Sequence, residues 1–391
     1  MEFKDIIVVL YEKALCENMA IALKNQLAGN YPDKYIIAVH DDQFIKNDFA
    51  KLRRKMHKSF VRAVPKSELF FSEVSHFSVK LRLKKQRRSL KKDLAPTHSG
   101  KSGKLFGRHL KYVQNIFLRY DPEMVICLTP YSLNMAMATK SLINANTIVT
   151  AFVPEVCLDE KFVDYCCDGY YVLNAEVRAS LMKLGISESH IIVSGYPPCP
   201  ELADKAAISQ KLKLDTSFPT VLLSGGEYEK QHLFPYFQAL TDTCTQYNLI
   251  IDAKGINAKK LKKACELCAA REHVFIIEDA TFVELLSVCD ILVTTPETDK
   301  LFMAFGFGKP SILTPAQTLF QRKIVNYMSE REVVVLTDTP EQFSKSLLDK
   351  IEELDDMKQM ADRAADLMFP DGAPYRLNAP ASQSNLLEIT D

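Results

Sequence analysis

The chain has 391 residues, 47% hydrophobic and 25% charged, with 49 basic side chains balancing 49 acidic ones. That length is more than one core usually organises, so two domains are expected, and the composition is that of an ordinary globular protein. No apolar run reaches about 18 residues, so no membrane-spanning helix is expected. The N-terminus enters a strand directly, without the pattern of a signal peptide, and the ten scattered cysteines read as reduced thiols of a cytoplasmic protein. The zero net charge hides an asymmetry. Between Lys51 and Tyr120 there are 20 basic residues and 3 acidic ones, a net +17, and the rest of the chain carries −17.

Residues 5–10 are apolar in the manner of a buried parallel strand. A helix over 13–27 follows, then a turn at Gly29–Pro32 and a second strand at Tyr35–His40. This βαβ start predicts a doubly wound sheet. Residues 43–120 form a basic insertion, with phenylalanines and leucines between the charges. Lys84, Lys85, Arg87 and Arg88 lie in one of its densest runs. Within it, Thr97–Gly107 is rich in Ser, Gly and Lys and reads as a loop before a helix over 110–120. A strand at 124–128, a helix at 132–143 and a strand at 148–153 lead to Glu155.

The stretch from Glu155 to Pro198 comes next. An acidic loop ends at Asp164, and a strand follows at 168–173. Asn174 is suited to cap a helix whose Val177, Leu181 and Leu184 repeat at helical spacing, with Gly185 as its terminator. A second strand and Gly195-Tyr196-Pro197-Pro198 close the stretch as a stiff linker. Beyond a helix at 201–214, a second αβ series is predicted. Its strands lie at 220–224, 248–252, 274–277, 290–294, 311–313 and 333–336, and a last helical stretch runs from Pro340 to about Met368. The expected division is a first domain of 1–196, a second of 197–368 and a flexible tail of 369–391.

These residues carry a resemblance. Pro154-Glu155-Val156, Cys167-Asp168-Gly169-Tyr170-Tyr171-Val172, Gly185-Ile186 and Ser194-Gly195-Tyr196-Pro197 resemble, in order and spacing, the middle of one glycosyltransferase family. It comprises enzymes that move a sugar from a UDP-sugar onto a lipid: processive diacylglycerol glucosyltransferases, plant monogalactosyldiacylglycerol synthases and, more distantly, the N-acetylglucosaminyltransferase that forms lipid II. The resemblance covers roughly residues 120 to 340. It implies an α/β fold of two Rossmann-like domains, called GT-B, with a deep interdomain cleft. It also implies an inverting, metal-independent hexosyltransferase without a cofactor, whose donor substrate is a UDP-sugar and whose acceptor is a membrane lipid.

The donor residues implied fall in three segments and at one further position, Gln321. Ser224, Gly225 and Gly226 turn from a strand into a helix, where backbone N–H groups suit a diphosphate. Glu278, Ala280, Thr281 and Phe282 belong to the loop that meets the base in the family. Pro296 and Thr298 lie in the turn that ends at Lys300, and Gln321 faces a sugar hydroxyl. Each segment also reads plainly as a turn or a βαβ connection without ligand. Departures from the family are plain too. Its glycine-rich first turn falls at Lys13, Leu15 and Cys16 here; its paired glycines are Glu297 and Thr298, and its ribose-holding acid is Met303. A thioether cannot stand in for a carboxylate acceptor, so Met303→Glu is expected to restore a grip on the ribose.

Glu155 stands where the family has an aspartate and is the candidate catalytic base, or otherwise one acid of a surface loop. No metal site is expected: Cys265 and Cys268 lie three apart on a predicted helix and read as core residues. The basic insertion suits an anionic membrane surface better than nucleic acid, since no nucleic-acid motif accompanies it. The expected location is therefore cytoplasmic, peripheral on the inner face of a membrane. Two other readings stay open: a non-catalytic GT-B scaffold, and another GT-B chemistry such as a nucleotide-sugar epimerase.

Overall fold

The computed structural model describes residues 6–40, 103–225, 233–241, 243–253, 258–266, 271–337 and 339–369. The chain divides into two compact α/β units, with the boundary between Pro197 and Pro198. Just before it, Gly195 holds φ at +74°, which only glycine adopts without strain. Among the described residues, no helix is long and apolar enough to cross a membrane.

The first unit contains β1 (Ile6–Tyr11), α1 (Lys13–Asn30), β2 (Tyr35–His40), α2 (Gly103–Tyr120), β3 (Met124–Cys127), α3 (Pro130–Ile143), β4 (Ile148–Val153), β5 (Gly169–Val172), α4 (Ala175–Lys183) and β6 (Ile191–Val193). Its six strands are all parallel, in the order β2-β1-β3-β4-β5-β6. Helices pack on such a sheet, so the inner strands are apolar on both sides, and Val149 through Val153 of β4 are completely buried. Each such Val or Phe contributes roughly 2 kcal/mol by leaving water.

The second unit contains α5 (Lys205–Leu212), β7 (Thr220–Ser224), α6 (Leu233–Thr241), β8 (Asn248–Asp252), α7 (Ala258–Cys265), β9 (Val274–Ile277), α8 (Phe282–Val288), β10 (Ile291–Thr294), α9 (Thr298–Gly306), β11 (Ser311–Leu313), α10 (Leu319–Ser329), β12 (Val335–Leu336), α11 (Pro340–Glu352) and α12 (Leu354–Ala365). The strand order is β12-β11-β10-β7-β8-β9, again all parallel. This is the doubly wound Rossmann order, in which the direction of winding reverses between β7 and β10. Both sheets thus agree with the α/β, two-Rossmann expectation.

The helix expected at 201–214 spans Lys205–Leu212 and the strand expected at 333–336 spans Val335–Leu336, and two further elements differ more. The helix α2 starts at Gly103, inside the stretch that reads as a loop. Gly and Ser permit a turn without forcing one, and no proline lies between residues 97 and 107. Its Val113, Ile116 and Phe117 enter the first core at helical spacing. The predicted terminal helix is two helices, because Glu353 leaves helical geometry at φ −92°, ψ 29°. The bend lets Phe343 and Leu347 before it, and Met357 and Met360 after it, share the second core. The predicted tail lies almost wholly outside the described residues.

The loop from β4 to α4 is pinned from several directions. The Tyr170 hydroxyl accepts from the Asp164 N–H and donates to the Asp164 carbonyl, both at 2.8 Å. Asp164, read from sequence as a loop acid, is therefore buried. Asn174 caps α4 as expected: its Oδ1 accepts from the Val177 N–H at 2.9 Å, while its Nδ2 donates to the Val156 carbonyl at 3.1 Å. Gly185 ends the helix at φ +90°.

Asn174→Ala removes both bonds from a buried position and is expected to destabilise the protein by about 1–3 kcal/mol, read as a lower urea midpoint with an unchanged slope. Met303 bears on the other expectation. It lies on α9 with 0% exposure. A ribose acceptor needs a side chain open to ligand, and a carboxylate placed here is buried instead. Met303→Glu is expected to lower the melting temperature by several degrees, through a cost of several kcal/mol, and to leave nucleotide affinity unimproved.

Candidate functional site

In a doubly wound sheet, ligands bind beyond the carboxyl ends of the strands at the point where the winding reverses. In the second unit, that point is the pair Ser224 and Thr294, which face each other in register as the last residues of β7 and β10. Asp252 ends the neighbouring strand β8. A polar cluster is built there. The Ser224 hydroxyl, fully buried, donates to Asp252 Oδ2 at 2.7 Å. Lys300, on the first turn of α9, points its ammonium back over the strand ends. Its Nζ donates to Ser224 Oγ at 2.7 Å and to the Gly225 carbonyl at 2.6 Å, and lies 4.0 Å from Asp252 Oδ2. The same ammonium stands 5.3 Å above the centre of the Phe282 ring, a cation–π distance. The Lys300 and Asp252 side chains are only 14% and 13% exposed.

One lysine therefore joins three segments that the sequence marks for the donor: Ser224 and Gly225 after β7, Phe282 at the start of α8, and the turn that begins at Pro296. Gly226 lies outside the described residues. Pro296 is buried in the turn and Thr298 is buried at the start of α9. Other candidates are already engaged in local structure. The Thr281 hydroxyl accepts from the Glu284 N–H at 3.2 Å, while the Glu284 carboxylate accepts from the Thr281 N–H at 2.6 Å. This capping box starts α8 and holds the Glu284 carboxyl below the usual carboxylate range, chiefly through the Thr281 N–H. It occupies the Thr281 N–H, so any backbone contact to a base falls to other groups of the loop. Ala280 beside it is buried, and Glu278 is exposed and paired with Lys262 at 2.9 Å. Gln321 is buried, and its Oε1 accepts from the Gln317 N–H at 2.7 Å, closing the entry to α10.

In the first unit, Glu155 follows β4 after Pro154, at the carboxyl end of the sheet. It is half-buried between buried Pro154 and Val156. Lys84, Lys85, Arg87 and Arg88 lie outside the described residues. Every described cysteine is a free thiol. Burial pushes Cys166, Cys199 and Cys289 each up to about 12. Asp164 adds to the effect at Cys166, and Asp299 at Cys199. Thiols shifted this way stay protonated near neutrality, the form that is a poor nucleophile. Cys265 is buried in the second core, and Cys268 lies outside the described residues. Among the described residues, no group of three or more His, Cys, Asp or Glu is gathered to hold a metal ion.

Sequence reasoning names Lys300 only as the end of a turn and gives Asp252 no role. A signal for Lys300 was present: it falls where the resembling family has threonine, three residues before Met303, and it brings a positive charge to a helix start beside a strand end. Asp252 carries no such signal, because an acid at the end of a strand is common.

No protein-family profile matches the chain. A processive diacylglycerol beta-glucosyltransferase of Staphylococcus haemolyticus is 22% identical over 236 residues, which is 58% of this chain and 59% of that protein. The same-named protein of Staphylococcus epidermidis matches over 125 residues, so the chain spans about three fifths to one third of the curated relatives it matches. Among solved structures, S. aureus MnaA with UDP superposes with a TM-score of 0.59 and 11% identity, covering 94% of this chain and 93% of that one. The UDP-GlcNAc 2-epimerase of Neisseria meningitidis, bound to UDP-GlcNAc, gives 0.56 and 11%, covering 92% and 94%. At these identities the likeness is one of fold: the chain has the GT-B architecture, and it resembles lipid glucosyltransferases in sequence.

Proposed function

We propose that the chain is a glycosyltransferase-like protein that transfers a hexose from a UDP-sugar to a membrane lipid. The observation that carries this reading is the convergence of Ser224, Gly225, Phe282 and the Pro296 turn on one cationic side chain at the winding reversal of the second sheet. These segments were marked as donor-binding from a resemblance to lipid glucosyltransferases, and the sequence similarity to such enzymes supports it. In this reading the donor belongs to the second unit, while the acceptor and Glu155 belong to the first. Glu155 takes the proton of the attacking lipid hydroxyl as the hydroxyl oxygen displaces UDP from the anomeric carbon. The basic run at residues 79–88 draws the protein to an anionic bilayer where that lipid resides.

The second reading is a nucleotide-sugar epimerase, favoured by the fold shared with the epimerase above. It needs no lipid and no base aimed at an acceptor.

Incubation with UDP-glucose, UDP-galactose or UDP-N-acetylglucosamine, with and without diacylglycerol vesicles, separates the two. Transfer is expected only with the lipid, and Glu155→Gln is expected to cut it by about a hundredfold or more with donor affinity little changed. An isomerised nucleotide sugar formed without lipid assigns the epimerase reading instead. Liposome sedimentation tests the membrane step. Binding to anionic vesicles is expected to weaken with salt, as attraction screened over about 10 Å at 0.1 M must. The quadruple change of Lys84, Lys85, Arg87 and Arg88 to Ser is expected to release most of the protein, and equal sedimentation of both forms rejects the assignment.

A further inference from the structure

The cluster at the winding reversal holds more than a place for a nucleotide. Lys300 has its ammonium on two oxygens and a third within 4.0 Å, and one of these belongs to Asp252, so the pair is internally neutral. Across from Ser224 in the sheet register, the Thr294 hydroxyl is fully buried and makes no hydrogen bond among the described residues. The paired glycines of the resembling family, which would leave backbone N–H groups bare for an anion, are here Glu297 and Thr298. The Thr295 hydroxyl donates to the Glu297 carboxylate at 3.3 Å, so this turn spends polar groups on itself. The Glu297 carboxylate opposes an anion at this turn. A full positive charge has appeared three residues further on.

We propose that Lys300 is the phosphate-binding residue of the second unit and that Asp252 is its exchangeable counter-ion. The proposal rests on the nucleotide reading of this site. Without ligand, Asp252 and Ser224 hold the ammonium over the strand ends. When a nucleoside diphosphate arrives, its oxygens replace Asp252 Oδ2 as the nearest anion, and no covalent bond changes. Asp252 is a positioning residue in this scheme. It keeps Lys300 extended along the strand ends and sets a threshold, because a ligand must offer more negative charge than one carboxylate to take the lysine from it. The site therefore selects diphosphates over uncharged nucleosides by charge.

Titration calorimetry with UDP, UMP and uridine tests this in the wild type and in Lys300→Gln, Lys300→Arg and Asp252→Asn. Lys300→Gln removes the charge and keeps a polar side chain one bond shorter, and its folding is checked by melting temperature. The expected result is a loss of UDP affinity of about tenfold or more in Lys300→Gln, with uridine affinity unchanged and UDP binding largely kept in Lys300→Arg. Asp252→Asn is expected to raise the ratio of UDP to uridine affinity, since it frees the charge. A merely structural lysine would lower stability and leave that ratio alone. The proposal is overturned if Lys300→Gln weakens UDP and uridine equally or neither, or if Asp252→Asn lowers the ratio. If the wild type binds neither UDP nor uridine, the nucleotide reading fails. Inorganic pyrophosphate then decides the lysine: a thermal shift that Lys300→Gln abolishes keeps Lys300 as a phosphate-binding residue, and its absence removes it.

Discussion

A parallel sheet covered on both faces must satisfy the N–H groups near the start of its strands, and both units meet this constraint in the same way. In the first, Asp168 precedes β5 and its Oδ2 accepts from the Val149 N–H of β4 at 2.6 Å, while its own N–H donates to the Val149 carbonyl at 2.9 Å. In the second, Asp290 precedes β10 and its Oδ2 accepts from the Thr220 N–H of β7 at 2.8 Å, while its N–H donates to the Thr220 carbonyl at 2.7 Å. Each carboxylate also takes a lysine from a helix, Lys140 at 2.6 Å and Lys205 at 3.4 Å. These reciprocal bonds fix which strands are neighbours and in what register. In the second unit they bind together β7 and β10, the two strands whose carboxyl ends make the candidate site.

That constraint explains where the resemblance to the lipid glycosyltransferases is legible. The segment with Asp168 matches the family because it builds the sheet, a duty Asp290 has in the second unit: the aspartates join strands, Tyr170 clamps the Asp164 peptide and Asn174 caps a helix. The positions at which the family meets its ligand have changed in this chain: Met303, buried here, for an acid, Glu297 and Thr298 for glycines, Lys300 for threonine. A chain can keep the first set and rework the second without loss of fold, which is why fold and chemistry have to be argued separately.

The fold was legible because its signals are local. Apolar runs of four to six residues bounded by turn residues gave strands such as β7 and β8 at their observed limits, and Asn174 and Gly185 marked both ends of α4. What failed were features set by tertiary packing. The break at Glu353 has no proline or glycine to announce it, and it exists because four apolar side chains on either side of it must reach one core. The start of α2 was hidden by glycines that a helix tolerates. At the site, the donor segments were legible as turns after strands, but their internal roles were not. Thr281 shows the difficulty: its position suggests a base-binding loop, while its hydroxyl and N–H are both consumed by the capping box with Glu284.

The cluster at Lys300 follows from the same physics at the other end of the strands. The carboxyl ends of β7, β8 and β10 bring the Gly225 carbonyl and the Asp252 carboxylate together around Lys300. A buried cation there is stabilised by attraction that reaches on the order of 4 kcal/mol for unit charges 4 Å apart at the effective dielectric of a partly solvated site, set against the cost of leaving water. The lysine also covers the face of Phe282, so its departure toward a ligand gives up a cation–π contact as well as two hydrogen bonds. A neutral ligand offers nothing to offset those losses. A ligand with two phosphates does, and its charge is distributed over several oxygens that a single carboxylate cannot match. Family members with glycines at this turn can meet the diphosphate with fixed backbone dipoles that need no counter-ion. This chain places a full charge at the corresponding turn, and a full charge in a largely buried place requires an acid beside it. Asp252 is the acid the fold supplies, because β8 is the strand next to β7 and ends at the same level.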